Sequence, residues 1–258
     1  MLRVGTCQIY LDCLPKSDML SWHRGNHMYF DPAYILFALP ALLLSLYATM
    51  LTKSRFARYS QVEPSSGMTG AEAARTLLDR QGLSNVAVEQ TQGFLSDHYD
   101  PSSRILRLSP DVYGTSSLSA VGVACHEAGH ALQHASGYAW LGFRNTLVPV
   151  TQIGSYLSYV ILMLGFLLHH PALIYAGIGL FFVGVVFSIV TLPVEWDASA
   201  RARRLMVSAG IVSQAEQEDA GKVLTAAFLT YVAAAVSALL TFLYYLMRAG
   251  LLGGRRND

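Results

Sequence analysis

Charge is what this chain has least of. Lys, Arg, Asp and Glu make up 14% of its 258 residues, and 18 basic against 17 acidic side chains leave a formal net charge of +1. No dense basic cluster is present, so nothing supports a nucleic-acid-binding surface, and no nucleic-acid partner is expected. Cysteine is scarcer still. Cys7, Cys13 and Cys125 form neither a C-x-x-C pair nor an even-numbered framework, which removes disulfides as an organising principle. Residues 1–27 lack an apolar core segment, which excludes a secretory signal there. Long internal repeats and low-complexity tracts are also missing.

Hydrophobic residues take up the difference, at 53% of the chain. Four charge-free apolar stretches, 33–52, 146–168, 171–193 and 224–247, are each long enough to cross a bilayer. The expected fold is therefore mainly α, a multi-pass membrane protein of four transmembrane helices with a small α+β catalytic region. Residues 1–27 read as an N-terminal extension, with translation beginning at Met28. Residues 28–52 hold the first span, 53–145 a catalytic region, 146–193 a transmembrane hairpin, 194–223 a polar helical segment, and 224–258 the fourth span and a short tail. His169-His170 is only a turn between spans two and three. The chain crosses twice between residues 130 and 194, so both large polar segments fall on one side. Lys53, Arg55, Arg58, Arg144, Arg201, Arg203 and Arg204 flank that side, against Arg248, Arg255 and Arg256 opposite, with Lys16 and Arg24 if the extension is counted. The excess predicts a cytoplasmic catalytic face.

Local signals divide the polar segments further. Thr69-Gly70-Ala71-Glu72 and Ser213-Gln214-Ala215-Glu216 are capping boxes. The first opens a helix stopping near Gly82, and the second a helix running into the fourth span. Residues 86–88 and 104–108 read as strands, and 97–101 as turn chemistry. Pro193 is expected to end a span, with Glu195 in the first turn of a new helix.

The richest stretch is His126-Glu127-Ala128-Gly129-His130. Histidines four apart on a helix are neighbours and can reach one metal ion, with the glutamate beside them to take a proton from water activated at zinc. Ser116, Ser117 and Ser119 offer N-caps for this helix and Gly137 a stop. Gly129 costs roughly 1 kcal/mol against Ala inside a helix, which a close approach of another backbone would explain. Cys125 points off the ligand face and reads as packing. A catalytic zinc needs a third protein ligand. His134 lies about 12 Å along the helix from His126, too far to share an ion with it. Glu195 is the better candidate, on the correct side of the membrane. Its alternative is an acidic residue meeting a helix dipole. Asp197 is a candidate for orienting a ligand histidine, and His98 a weaker candidate ligand or carbonyl partner.

Five segments occur in an order that resembles a known group. They are Tyr29-Phe30-Asp31-Pro32, residues 67–72, residues 97–101, His126 to His134, and Pro193-Val194-Glu195-Trp196-Asp197-Ala198-Ser199. From Met28 to its end the chain is similar to the bacterial YugP-type membrane-bound neutral zinc metallopeptidases. The resemblance implies a bacterial cell-membrane protein with a zincin-like catalytic region. A more distant likeness is to gluzincins of the HtpX and CAAX-prenyl-protease type. In that group a downstream glutamate is the third ligand and an aspartate follows four residues later. Glu195 matches the ligand, whereas Ser199 stands at the later position.

The resulting expectation is a zinc endopeptidase acting on protein or peptide substrates near the surface of the lipid bilayer. One Zn2+ is held by His126, His130 and Glu195. Glu127 is the general base and then the proton donor, and His98, Tyr99 and Arg201 are the candidates for stabilising the oxyanion. The rival is a catalytically inactive membrane scaffold or regulator retaining the fold. A metal transporter is disfavoured, because the four spans carry no charged residue.

Overall fold

Helix caps and alternation along the chain mature into seven helices and three strands in the described part of this computed structural model, residues 32–93 and 96–252. Helix α1 is Pro32–Tyr59 and α2 is Gly70–Arg80. Strands β1 (Ala87–Gln90), β2 (His98–Asp100) and β3 (Ile105–Leu108) follow. Helices α3 (Pro110–Tyr113), α4 (Leu118–Ala135), α5 (Ala139–Leu167), α6 (Pro171–Ser208) and α7 (Gln214–Arg248) complete the chain. The proposed extension before Met28, Cys7, Cys13, Arg255 and Arg256 lie outside the described residues.

Both capping boxes form. Thr69 N donates to Glu72 Oε2 at 2.8 Å, and Ser213 N to Glu216 Oε2 at 2.7 Å. The helix begun by Ser213 continues unbroken through the fourth apolar stretch. Glu216 also accepts from Ser65 N and Oγ, which ties the loop after α1 to the start of α7.

The sheet order is β1-β3-β2, with β3 parallel to β1 and antiparallel to β2. β3 buries Leu106 and Leu108 and turns Ile105 and Arg107 outward, the expected two-residue alternation. The turn expected at 97–101 is displaced. His98, Tyr99 and Asp100 form an edge strand, and the reversal occupies 101–104, where Arg104 takes a positive φ of 54°. Asp100 still does the turn chemistry, accepting from Ser102 N at 2.9 Å and from both Ser102 Oγ and Ser103 Oγ at 2.6 Å.

Four helices, α1, α5, α6 and α7, are long and apolar enough to cross a membrane. They pack α5 against α6, α6 against α7 and α7 against α1. Tyr34–Tyr244 and Phe166–Tyr245 ring contacts join them at one end. At the other end Thr52 Oγ1 donates to the Ala226 carbonyl and Tyr59 OH to Asp219. Both polar segments emerge at this second end, as the crossing count requires. Leu36, Ile153 and Tyr156 are each more than 70% exposed around the helices. Aliphatic and aromatic surface of that extent suits hydrocarbon rather than water.

Two helix boundaries depart from expectation. α5 begins at Ala139, before the second apolar stretch, so Arg144 is part of that helix. Pro193 does not end a helix, and Glu195 is not in a first turn. α6 runs from Pro171 to Ser208 with Pro193 inside it. A proline removes one backbone donor, and a helix packed on both sides survives that loss. Here α5 and α7 flank α6, and α4 packs on it near Glu195. The helix-dipole alternative for Glu195 therefore falls away.

α4 is the hub. Ser117 caps it, accepting from Ala120 N at 3.2 Å, and Gly137 follows its C-cap with φ 62°. Leu118, Val121, Ala124 and Ala128 are fully buried in a core that also takes in Leu77, Leu78, Val112, Met206 and Ile211. Cys125 lies in this core, and burial pushes its thiol up to about 12, so it stays protonated and serves as packing.

Candidate metal centre

α4 and α6 cross where α4 has no room for a side chain. A Cβ placed on Gly129 would stand 2.6 Å from the Ala198 carbonyl oxygen. Glycine at this position lets the two backbones touch, as its presence mid-helix foreshadows. The contact sets the Glu195 turn of α6 against the histidine face of α4.

His126, His130 and Glu195 meet there. One ligand atom from each lies within 4.8 Å of the other two. Glu195 Oε2 is 3.2 Å from His126 Nε2 and 3.6 Å from His130 Nε2. Zinc bonds of 2.0–2.1 Å in a tetrahedron separate the ligand atoms by about 3.3 Å, so both distances are close to the span a shared ion requires. Glu195 is 3% exposed. A carboxylate buried to that degree needs a cation beside it.

The hydrogen bonds behind the rings settle what the imidazoles offer. Gln133 is fully buried, and its Nε2 donates to the Val194 carbonyl and to Asp197 Oδ2, both at 2.8 Å. Those partners only accept, which fixes the amide with its oxygen toward His130. His130 Nδ1 lies 3.0 Å from that oxygen and must carry the proton. Its Nε2 lone pair is thereby left facing Glu195. Arg201 Nε holds Asp197 at 2.6 Å and completes the chain. His126 Nδ1 is 3.0 Å from Ser199 Oγ, so Ser199 supports the first histidine. Such outer partners orient metal-binding imidazoles. Burial of His130 opposes its charging, but Glu195 and Glu127 outweigh it and raise its pKa above the ordinary imidazole value.

Glu127 is 9% exposed and borders two cavities at this point, with Asp97, Glu195 and Tyr231 bordering both as well. His134, eight residues from His126, is absent from the cluster and bonds Tyr99 OH at 2.9 Å through Nδ1. His98 lies on the edge strand β2, its Nδ1 2.8 Å from the Ser96 carbonyl, and lines the smaller cavity with Tyr99. Arg201 borders neither of the two cavities, being engaged by Asp197 and packed over the Tyr138 ring. His169 and His170 sit exposed at the far end of the α5–α6 hairpin.

Sequence reading overlooked three residues. Gln133 was detectable as a polar side chain one turn beyond His130 on the histidine face of the helix. Arg144 was counted only as a flanking charge. Tyr231 was hidden inside an apolar span, where nothing in the pattern distinguishes it from neighbouring aromatics.

Comparison with known proteins gives two findings. A family model described as "Putative neutral zinc metallopeptidase" matches residues 34–250. A Bacillus subtilis (strain 168) protein described as "Putative membrane protease YugP" is 47% identical over 214 residues, covering 83% of this chain and 95% of that protein. No solved structure matches the chain.

Proposed function

The chain belongs to the family described as "Putative neutral zinc metallopeptidase", and from that premise we propose that it is a membrane-embedded endopeptidase with a zincin-like site at the bilayer surface. The observation that carries this reading is the convergence of His126, His130 and Glu195 beside the carboxylate of Glu127, which borders both cavities.

The donor set of two imidazole nitrogens and one carboxylate oxygen suits zinc with an open fourth position. His126, His130 and Glu195 hold the ion. When bound, zinc acts as a Lewis acid toward water and a substrate carbonyl. Glu127 takes the proton from the attacking water and passes it to the leaving amine. Gln133 keeps the Nε2 lone pair of His130 inward, and Ser199 holds the ring of His126 in place. Of the candidate oxyanion partners, His98 faces the cavity and Tyr99 is held by His134. Arg201 is replaced in this role by Tyr231, which borders both cavities beside Glu127 and Glu195. Edge strand β2 beside the site is suited to pairing with an extended peptide. The basic residues flanking the catalytic end favour the cytoplasmic face of a bacterial cell membrane.

Zinc analysis and proteolysis on protein purified in detergent test the reading together. Wild type is expected to bind one zinc per chain and cleave an unfolded protein such as casein, with chelation abolishing cleavage. Glu127→Gln should retain the metal and lose turnover. Equal behaviour of wild type and Glu127→Gln on every substrate would instead support the scaffold.

A further inference from the structure

The site opens in two directions of opposite character. One cavity, of about 330 Å3, runs between α1, α4 and α7 and is walled by Val123, Leu224 and Phe228, with Thr49 and Thr230 at its reach. The other, of about 140 Å3, lies between β2 and α5 and presents His98, Arg144 and Asn145. Both end on Glu127, Glu195 and Tyr231. The catalytic carboxylate therefore stands at their junction.

Their depths differ too. Thr230 is six residues inside the apolar stretch beginning at 224, about 9 Å along a helix rising 1.5 Å per residue. Thr49 is inside the first apolar stretch. The larger cavity thus lies at the depth of the bilayer margin, and the smaller one faces the polar segments. Arg144 stands in the smaller cavity, and among the described residues it has no salt bridge and its buried Nε no hydrogen-bond partner. Its guanidinium rests on the Phe187 ring, 5.9 Å from the centroid. A held cation with unspent donors suits the carbonyls of an extended chain.

Building on the peptidase reading, we propose that the two cavities form one substrate cleft, and that it takes a polypeptide where a membrane-embedded apolar segment ends. A bulky apolar side chain of that segment fills the α1–α4–α7 cavity. The polar flank lies along β2 with its main chain held by Arg144. The scissile bond falls between them, opposite Glu127.

The test uses full-length protein in vesicles of phosphatidylcholine and phosphatidylglycerol, with a single-span leucine–alanine polypeptide carrying a polar flank. The end of the apolar segment is moved along the chain, and the cut sites are mapped by mass spectrometry. The cut is expected to follow the boundary, with Leu or Phe preferred over Ala on its apolar side. Thr49→Phe and Ala227→Phe, which narrow the larger cavity from two different helices, should each lower the Phe-to-Ala rate ratio by about tenfold. Arg144→Gln should raise KM with zinc content unchanged. Cut sites that stay fixed in the polar flank, or a rate ratio unaltered in both cavity variants, would overturn the cleft. Wild type no more active than Glu127→Gln on any substrate would overturn the peptidase reading, and the cleft with it.

Discussion

Gln133 shows how much one buried amide can control. It links His130 to Asp197, and it joins α4 to α6 through the Val194 carbonyl. Gln133→Leu keeps the volume but removes the amide's bonds to His130, the Val194 carbonyl and Asp197, a loss of about 0.5–1.5 kcal/mol for each. Zinc affinity, measured by competition with a chelating dye, should fall about 10–100-fold, and Ser199→Ala should weaken it in the same direction. His130 carries a pH signature. Without metal its raised pKa contributes stability that is fully present below the ordinary value of about 6.5 and is lost as pH rises through the raised value. Zinc must displace that proton, so zinc affinity should increase over the same interval. Thermal melts with and without zinc should therefore diverge as pH rises, and a constant gap would contradict this assignment. Tyr231→Phe should lower kcat by roughly 100-fold while zinc stays bound, if its hydroxyl stabilises the oxyanion.

At the scale of elements, the α4–α6 crossing determines whether a site exists at all. Gly129→Ala improves helix propensity by roughly 1 kcal/mol, yet the new methyl would meet the Ala198 backbone. Backbone cannot swing aside as a side chain can. The variant should therefore melt at a lower temperature and bind less zinc, even though alanine is the better helix former. The HExxH face was legible from spacing alone, because helical period and metal chemistry both appear in one short string. The path of α6 was not. Pro193 is a strong local breaker, and only the packing of α4, α5 and α7 on that helix shows why it continues. The edge strand β2 was obscured for a related reason. Its residues have turn propensities, and pairing with β3 outweighs them.

Among the described residues, one end carries both large polar segments and the other the α5–α6 turn and a cluster of aromatic rings. This polarity makes a topological prediction. A cysteine placed at Glu63, in a background lacking Cys7 and Cys13, should be modified by a membrane-impermeant reagent only after the cell is opened. A cysteine at His169 should react from outside. The reverse pattern would place catalysis on the outer face. The buried, protonated thiol of Cys125 should remain silent in both cases.

Four helices long and apolar enough to cross a membrane, the pairing of His126 with His130, and the nearness of Glu195 rather than His134 to that pair were legible in the sequence alone. Each depends on local period, length or charge, which neighbouring residues express directly. The support of His130 by Gln133 and Asp197, of His126 by Ser199, and the positions of Arg144 and Tyr231 beside the cleft were decided by tertiary structure. These groups come from four helices and meet only because Gly129 lets two backbones touch and α7 closes over them. Contacts between residues 61 to 73 positions apart leave no trace in a periodicity, since their geometry comes into being only when the helices pack.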